Sequence, residues 1–243
     1  MLIDAHCHIH NQAFCQLLKD EQIQGIINCD SQAEYLQIKE WLGDKSHLTL
    51  SVGVHPWKAD QANWQEMAHC FEQVNVIGEI GLDNEWCKVP MKLQKEVFER
   101  QLRYAMLQQK PVVLHTKGME KDIAEIIQNY PNRYLVHWYS SLQYLEAYLA
   151  QDCYFTIGPS VYQDQAVQQV VAKVPLSRML IESDGIAAIE WAINQKIPLS
   201  SYKKVLEQTL AYISAQKNIS MSKLAHQFET NFQTFLGGRK NDD

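Results

Sequence analysis

Short runs of aliphatic and β-branched residues recur along the chain, each followed by a longer stretch in which apolar positions take a helical period. Their starts lie roughly 25 residues apart, close to the length of one βα unit. Eight runs qualify as strands: Leu2–His6, Gly25–Cys29, Leu48–Val54, Val76–Gly81, Pro111–Thr116, Tyr134–Trp138, Tyr154–Gly158 and Met179–Asp184. Several, such as Val112-Val-Leu and Met179-Leu-Ile, are apolar at consecutive positions, which suits parallel strands covered on both faces. Eight βα repeats closing on themselves predict a (β/α)8 TIM barrel, an α/β fold whose active site lies at the carboxyl ends of the strands.

The helical stretches between these runs include Ala33–Leu42 and Leu93–Gln109, the second with Leu93, Val97, Leu102 and Met106 on one apolar stripe. Pro111 ends that helix and opens the next strand. Beyond the last strand, Tyr202–Lys217 and Met221–Leu236 read as two more helices, with Ser220 as N-cap of the latter and Gly237-Gly238 as its stop. The final Lys-Asn-Asp-Asp is expected to fray. No linker or shift in composition divides the chain, so residues 1–243 are expected to form a single domain.

Composition narrows the function. Of 243 residues, 46% are hydrophobic and 21% charged, enough apolar material for one sizeable core, which excludes disorder as the main state. The net charge of −6 excludes a broad basic surface for coating nucleic acid, so any polyanion must be met locally. The N-terminus lacks a basic segment followed by an apolar run, and no apolar stretch approaches the ~18 residues of a membrane span. A soluble, unexported, cytoplasmic protein without membrane contact is expected. Six scattered cysteines without a Cys-x-x-Cys pair suit reduced thiols, with Cys7, Cys29 and Cys153 in the core.

The chemistry concentrates at strand ends. His6 and His8 are one residue apart, so the period of two puts both imidazoles on one side with Cys7 facing away. That is ligand spacing, although paired histidines also serve as hydrogen-bonded polar groups. Glu79 is an acid inside an apolar strand, flanked by glycines that allow close approach to the backbone; it needs a cation, either a metal ion or a basic side chain. His115, His137 and Asp184 close three further strands. Singly, each fits a structural role; together, four histidines and two acids converging on one barrel mouth fit a metal site. Asp83 is a potential helix cap, His10 faces solvent, and His55 is either a turn residue before Pro56 or a residue that contacts phosphate or supports the ligands from behind. Lys117 is a second candidate phosphate contact. Trp57, Trp86, Trp138 and Tyr139 near strand ends either pack loops or stack unpaired bases.

These residues fall in segments that carry a resemblance. Asp4-Ala-His-Cys-His8, Val52-Gly-Val-His-Pro56, Ile77-Gly-Glu-Ile-Gly-Leu-Asp83, Gln94 through Phe98 to Gln101-Leu102, Pro111-Val-Val-Leu-His115, Glu182-Ser-Asp184 and Asn231-Phe-Gln-Thr-Phe-Leu-Gly237 resemble the TatD family of metal-dependent hydrolases and deoxyribonucleases, in the amidohydrolase-like barrel group, over nearly the whole chain. The resemblance implies a centre of two divalent ions (Zn²⁺, Mn²⁺ or Mg²⁺). His6, His8 and Asp184 would hold one, His115 and His137 the other, and Glu79 would bridge them. It also implies deoxyribonuclease activity, often removal of nucleotides from a 3′ end. The chain departs from the family pattern at His137-Trp-Tyr-Ser-Ser141, at Lys117 in place of an arginine, at Gly185-Ile-Ala-Ala-Ile-Glu190 and at Asn84-Glu-Trp-Cys87, all around the rim.

Phosphodiester hydrolysis near neutral pH needs an activated water and a sink for charge on phosphate oxygens, and paired cations supply both. Asp184 is then expected to act as general base and Glu79 to serve catalysis as the bridge, with nucleic acid, DNA first, as the partner. Four imidazoles favour Zn²⁺, while Mn²⁺ suits the mixed set and Mg²⁺ accepts it less readily. Two rivals stand beside this reading: hydrolysis of an amide, ester or lactone by the same centre, and a metal-binding component of a nucleic-acid processing or defence complex with protein partners.

Overall fold

The computed structural model describes residues 1–43 and 46–238, so the expected fraying of the last four residues lies outside the described residues. Strand and helix alternate as the hydrophobic pattern predicts. In chain order the elements are β1 (Ile3–Cys7), α1 (Gln12–Asp20), β2 (Gln24–Cys29), α2 (Gln32–Leu42), β3 (Leu48–Val52), α3 (Trp64–Gln73), β4 (Val76–Asp83), α4 (Met91–Leu107) and β5 (Val112–Lys117). There follow α5 (Glu120–Ile127), β6 (Tyr134–Val136), α6 (Leu145–Leu149), β7 (Tyr154–Ile157), α7 (Gln165–Lys173), β8 (Met179–Ile181), α8 (Ile186–Ile193), α9 (Tyr202–Lys217) and α10 (Met221–Leu236). The strands pair in parallel in the order β1 to β8 and curl into a nearly closed TIM barrel.

The seam between β8 and β1 is made by residues just beyond β8. Asp184 N–H donates to His6 O at 3.0 Å, and Ser183 N–H donates to Asp4 Oδ1 at 2.9 Å. Strand bounds match the apolar runs to within a few residues, and β6 and β8 both end earlier than their runs. Trp138 and Asp184 lie beyond those strands because both take positive φ, 36° and 58°, which breaks an extended chain. These breaks turn the chain at the mouth, where the chemistry sits.

Local signals set the helix ends. Asn11, Ser31, Asp164 and Ser220 accept hydrogen bonds from backbone N–H groups in the first turns of α1, α2, α7 and α10. Gly237, at φ 95°, stops α10 as expected. The buried face of α4 is Gln94, Val97, Phe98, Gln101, Leu102 and Ala105, whereas Leu93 and Met106 of the anticipated stripe are only partly covered. The two glutamines are buried because they hold strand ends: Gln94 accepts from Asp83 N (2.9 Å) and donates to Asp83 O (3.0 Å), and Gln101 does the same for Val54 (2.7 and 3.1 Å). A pattern of apolar residues alone cannot see them.

All six cysteines are unpaired, and Cys7, Cys29 and Cys153 are buried. Among the described residues no helix is long and apolar enough to cross a membrane.

Beneath the mouth, Asp4 is fully enclosed and meets the Ser183 and Tyr202 hydroxyls, joining β1, the end of β8 and α9. Burial raises its pKa to about 7, against the opposing hydrogen bonds from Ser183 and Tyr202. The folded chain therefore binds this proton more tightly than the unfolded chain. Its stabilising contribution is complete below about pH 4 and fades as pH rises towards 7. Asp4→Asn should flatten that part of the profile: from pH 4 to 7.5 the melting temperature of metal-free wild type is expected to fall relative to that of the variant. A constant gap would remove Asp4 as the titrating group.

Candidate metal centre

Glu79 organises the mouth. It sits in β4 with only 2% of its surface exposed, and the neighbouring glycines exist for the strand beside it. A Cβ at Gly81 would lie 1.9 Å from His115 O, and one at Gly78 would lie 2.7 Å from Val113 Cβ, so bare backbone lets β5 draw close. The close approach inferred from these glycines is thus that of β5, which carries His115.

The two oxygens of Glu79 face different histidines. Oε2 lies 3.2 Å from His8 Nε2 and 3.5 Å from His6 Nε2. Oε1 lies 2.6 Å from His115 Nδ1 and 2.8 Å from His137 Nε2. Asp184 Oδ1 completes the first group, 3.2 Å from His6 Nε2 and 3.8 Å from His8 Nε2. The rings of His6 and His137 stack at 4.1 Å, joining the two groups across a common wall. All six residues singled out as ligands therefore meet in one pocket.

The remaining ring nitrogens are turned to other partners. His115 Nε2 faces Asp83 Oδ2 at 3.2 Å, which leaves Nδ1 for the pocket. His137 Nδ1 faces the buried carboxylate of Glu182 at 3.6 Å. His6 Nδ1 meets the Asn28 amide at 2.9 Å, and Asn28 Oδ1 accepts from Ser51 Oγ at 2.6 Å. Partners of this kind orient a ligating imidazole and select its tautomer. Asp83, left open as a helix cap, instead accepts from the N–H groups of Glu85 and Trp86 in a turn and from Trp57 Nε1 at 2.6 Å, besides orienting His115. Glu182 and Asn28 received no role from the sequence. The available signal was the one used for Glu79: a polar residue in an apolar strand, Asn28 after Ile26-Ile27.

His55 lies closer in than a substrate contact on the rim, with Nε2 3.5 Å from Glu79 Oε1 and 3.4 Å from His115 Nδ1. Distance alone would group it with Glu79 and His115 as a ligand. Its Nδ1, however, accepts from Trp57 N–H at 3.3 Å, so the neutral ring carries its proton on Nε2 and presents a donor, not a lone pair. Burial lowers its pKa and keeps it neutral. Lys117 is half-buried at the rim, donating to Ser140 Oγ at 2.9 Å. Tyr139, a candidate for base stacking, is instead a core residue packed on Tyr148 and Phe155. His10 is exposed, as expected.

A cation fits this donor set. His6 Nε2 is buried without a hydrogen-bond partner, although two carboxylate oxygens face it. Atoms sharing an ion at about 2.0–2.2 Å stand about 3.0–3.4 Å apart, and the donors here, 2.6–3.8 Å apart, bracket that spacing. Electrostatics agree. Burial opposes charge on His8, yet Glu79 and Asp184 lift its pKa to about 10. Burial likewise opposes charge on His137 and His115, and their neighbouring carboxylates outweigh it and raise both. Burial works to raise Glu79, but the charge of His137 above all, with a hydrogen bond from His115, holds it well below the usual carboxylate range. The pocket retains ionised carboxylates and draws positive charge to itself.

Imidazoles and carboxylates gathered at the carboxyl mouth of a parallel barrel are the mark of metal-dependent barrel hydrolases. The family model described as TatD related DNase matches residues 3–237, and the chain belongs to that family. Deoxyribonuclease Tat-D of Schizosaccharomyces pombe is 27% identical, covering 76% of this chain and 73% of its own length. The human 3'-5' RNA nuclease TATDN2 is 24% identical over 75% of this chain and 28% of its own. The metal-dependent hydrolase YjjV of Escherichia coli is 25% identical over 75% of this chain and 78% of its own. The YjjV crystal structure shares the fold with a TM-score of 0.82 at 20% identity, covering 96% of this chain and 97% of that one.

Two outcomes are expected. Because His8 holds a proton up to about pH 10, an ion must displace it, so apparent affinity should rise about tenfold per pH unit per displaced proton between pH 7 and 9. Competition with a chromophoric chelator at several pH values measures this, and a flat profile contradicts it. The structure turns the Asn28 amide nitrogen to His6 Nδ1; the flipped amide, whose oxygen accepts from Nδ1–H and whose nitrogen donates to Ser51 Oγ, is the one that leaves His6 Nε2 free for an ion. Asn28→Leu removes that selection and should weaken metal affinity by about 10- to 100-fold in the same titration.

Proposed function

We propose that the whole chain, residues 1–243, works as a single-domain, two-metal phosphodiesterase that hydrolyses DNA, acting on single strands from the 3′ end. The observation that carries this reading is the division of Glu79, one oxygen turned to His6 and His8 and the other to His115 and His137, as a bridging carboxylate requires. On this reading His6, His8 and Asp184 would hold one divalent ion and His115 and His137 the second, with Glu79 shared between them. Four imidazoles favour Zn²⁺ or Mn²⁺ over Mg²⁺. Bound there, the pair of ions would lower the pKa of a water and neutralise charge on phosphate oxygens.

The remaining steps belong to the chain's own residues. The Asp184 side chain, 25% exposed beside His6, reaches the open side of the pocket and accepts the proton of the attacking water. Neutral His55 offers Nε2–H to a phosphate oxygen, and Lys117 supplies a positive charge at the rim. The acidic net charge is no obstacle, because two divalent ions reverse the local field where the phosphate arrives. The name of the Schizosaccharomyces pombe relative supports DNA, and that of the human relative makes RNA the second substrate to test. Five buried thiols and a sixth half-buried one suit a reducing, cytoplasmic setting.

Metal-loaded protein incubated with 5′-labelled single-stranded DNA should release nucleotides stepwise from the 3′ end. Cleavage of carboxylic esters or lactones without cleavage of DNA or RNA would instead identify a carbonyl hydrolase. Asp184→Asn should lower turnover by about 10²- to 10⁴-fold while oligonucleotide affinity persists; unchanged turnover would remove it as general base.

A further inference from the structure

The outer rim of the pocket holds a group of side chains that neither the core nor the metal centre explains. Trp86 follows β4, Trp138 directly follows His137, and Trp191 lies on α8 beyond Asp184. Trp191 meets the other two edge to face, at 6.2 Å from Trp86 and 6.3 Å from Trp138. Trp191 is 67% exposed and Trp86 52% exposed, and neither belongs to the hydrophobic core. Three indoles with two largely in water are a costly surface, and such clusters mark contact sites.

The third indole is held in place. Trp138 takes φ 36°, an uncommon conformation for a bulky residue, and its Nε1 donates to Ser160 Oγ at 2.8 Å. Its ring lies against Gly158, where a Cβ would come within 2.7 Å of it. Strain, a hydrogen bond and a bare glycine together fix the plane of this ring. Backbone strain of this kind gathers where a ligand is met.

The cluster also carries charge. The Lys117 ammonium lies 4.6 Å from the centre of the Trp86 ring, on the strand that bears His115. Trp86 also lines a groove of about 340 Å³ together with Trp57 and Lys88. Flat aromatic faces interleaved with ammonium groups, joined through Trp138 and His137 to the pocket proposed to take a phosphodiester, match a ligand that is both aromatic and anionic. An apolar protein surface would not call for the lysines, and a duplex hides its base faces.

We propose that Trp86, Trp138 and Trp191 form a shelf on which unpaired bases of a nucleic acid strand stack beside the scissile phosphodiester, with Lys117 on the adjoining phosphate. The proposal rests on the phosphodiester reading of the pocket and deepens it: affinity comes from bases next to the cleaved bond, and the strand must be single. Stacking on aromatic side chains tolerates any base, so the shelf selects strandedness rather than sequence.

The test uses the full, metal-loaded chain and a cleavage-resistant single-stranded phosphorothioate oligonucleotide, followed by tryptophan fluorescence. The same oligonucleotide with abasic sites at its 3′ end and a blunt duplex of the same sequence serve as comparisons. The intact single strand should quench fluorescence and bind at least about tenfold more tightly than either comparison. Trp86→Ala and Trp191→Ala should each weaken the intact strand about fivefold or more and leave the abasic strand unaffected. Their exposure makes both tolerable to the fold, which melting temperatures check, and the abasic comparison on wild type needs no variant. Equal affinity for intact and abasic strands overturns the shelf, leaving the indoles to another occupant. Hydrolysis of methyl p-nitrophenyl phosphate by wild type, which has no base to stack, tests the phosphodiester reading separately. Its absence alongside base-dependent binding would fail that reading while the shelf stands.

Discussion

One buried carboxylate governs the arrangement of this molecule. Glu79 lies buried in β4 at the barrel mouth, where an ionised acid without compensation is strongly disfavoured. Compensation arrives from four histidines on three other strands or their ends, and β5 reaches it only because Gly78 and Gly81 present no side chain. Remove the acid and the imidazoles lose the charge that keeps their protons; remove the glycines and β5 cannot close on β4. The same two-oxygen geometry that satisfies burial in the protein alone is the one a pair of cations would use.

Around this group several buried polar side chains are given partners, and the partners are held in turn. Asp83 orients His115 and is fixed by Trp57 and a turn; Asn28 meets His6 and is fixed by Ser51. Gln94 and Gln101, reaching up from α4, hold the backbone at the ends of β4 and β3. Such a network confines ring positions far more tightly than a pocket of apolar side chains would. It also explains why polar residues stand in strands and helices that would otherwise read as pure core.

Catalytic pocket and rim are separate layers of design. The pocket draws on segments that resemble the TatD family closely, whereas Trp86, Trp138 and Trp191 stand in or beside the segments that depart from it. A barrel allows this division because ligands come from strand ends while the loops and helices beyond them vary independently.

The sequence by itself determined the eightfold alternation, the parallel barrel and the convergence of His6, His8, Glu79, His115, His137 and Asp184, because burial on both faces and strand-end placement are written in residue order. Helix ends at Ser220 and Gly237 were legible for the same local reason. Only the tertiary structure decided which nitrogen of each imidazole faces the pocket, since that depends on partners remote in sequence such as Asp83, Glu182 and Asn28. It alone moved Tyr139 into the core, drew His55 inward and turned it into a donor, and brought three tryptophans from separate loops and a helix together. Periodicity reports which face a residue occupies along one element; orientation about a side-chain bond, and contact between elements, arise only when the barrel closes.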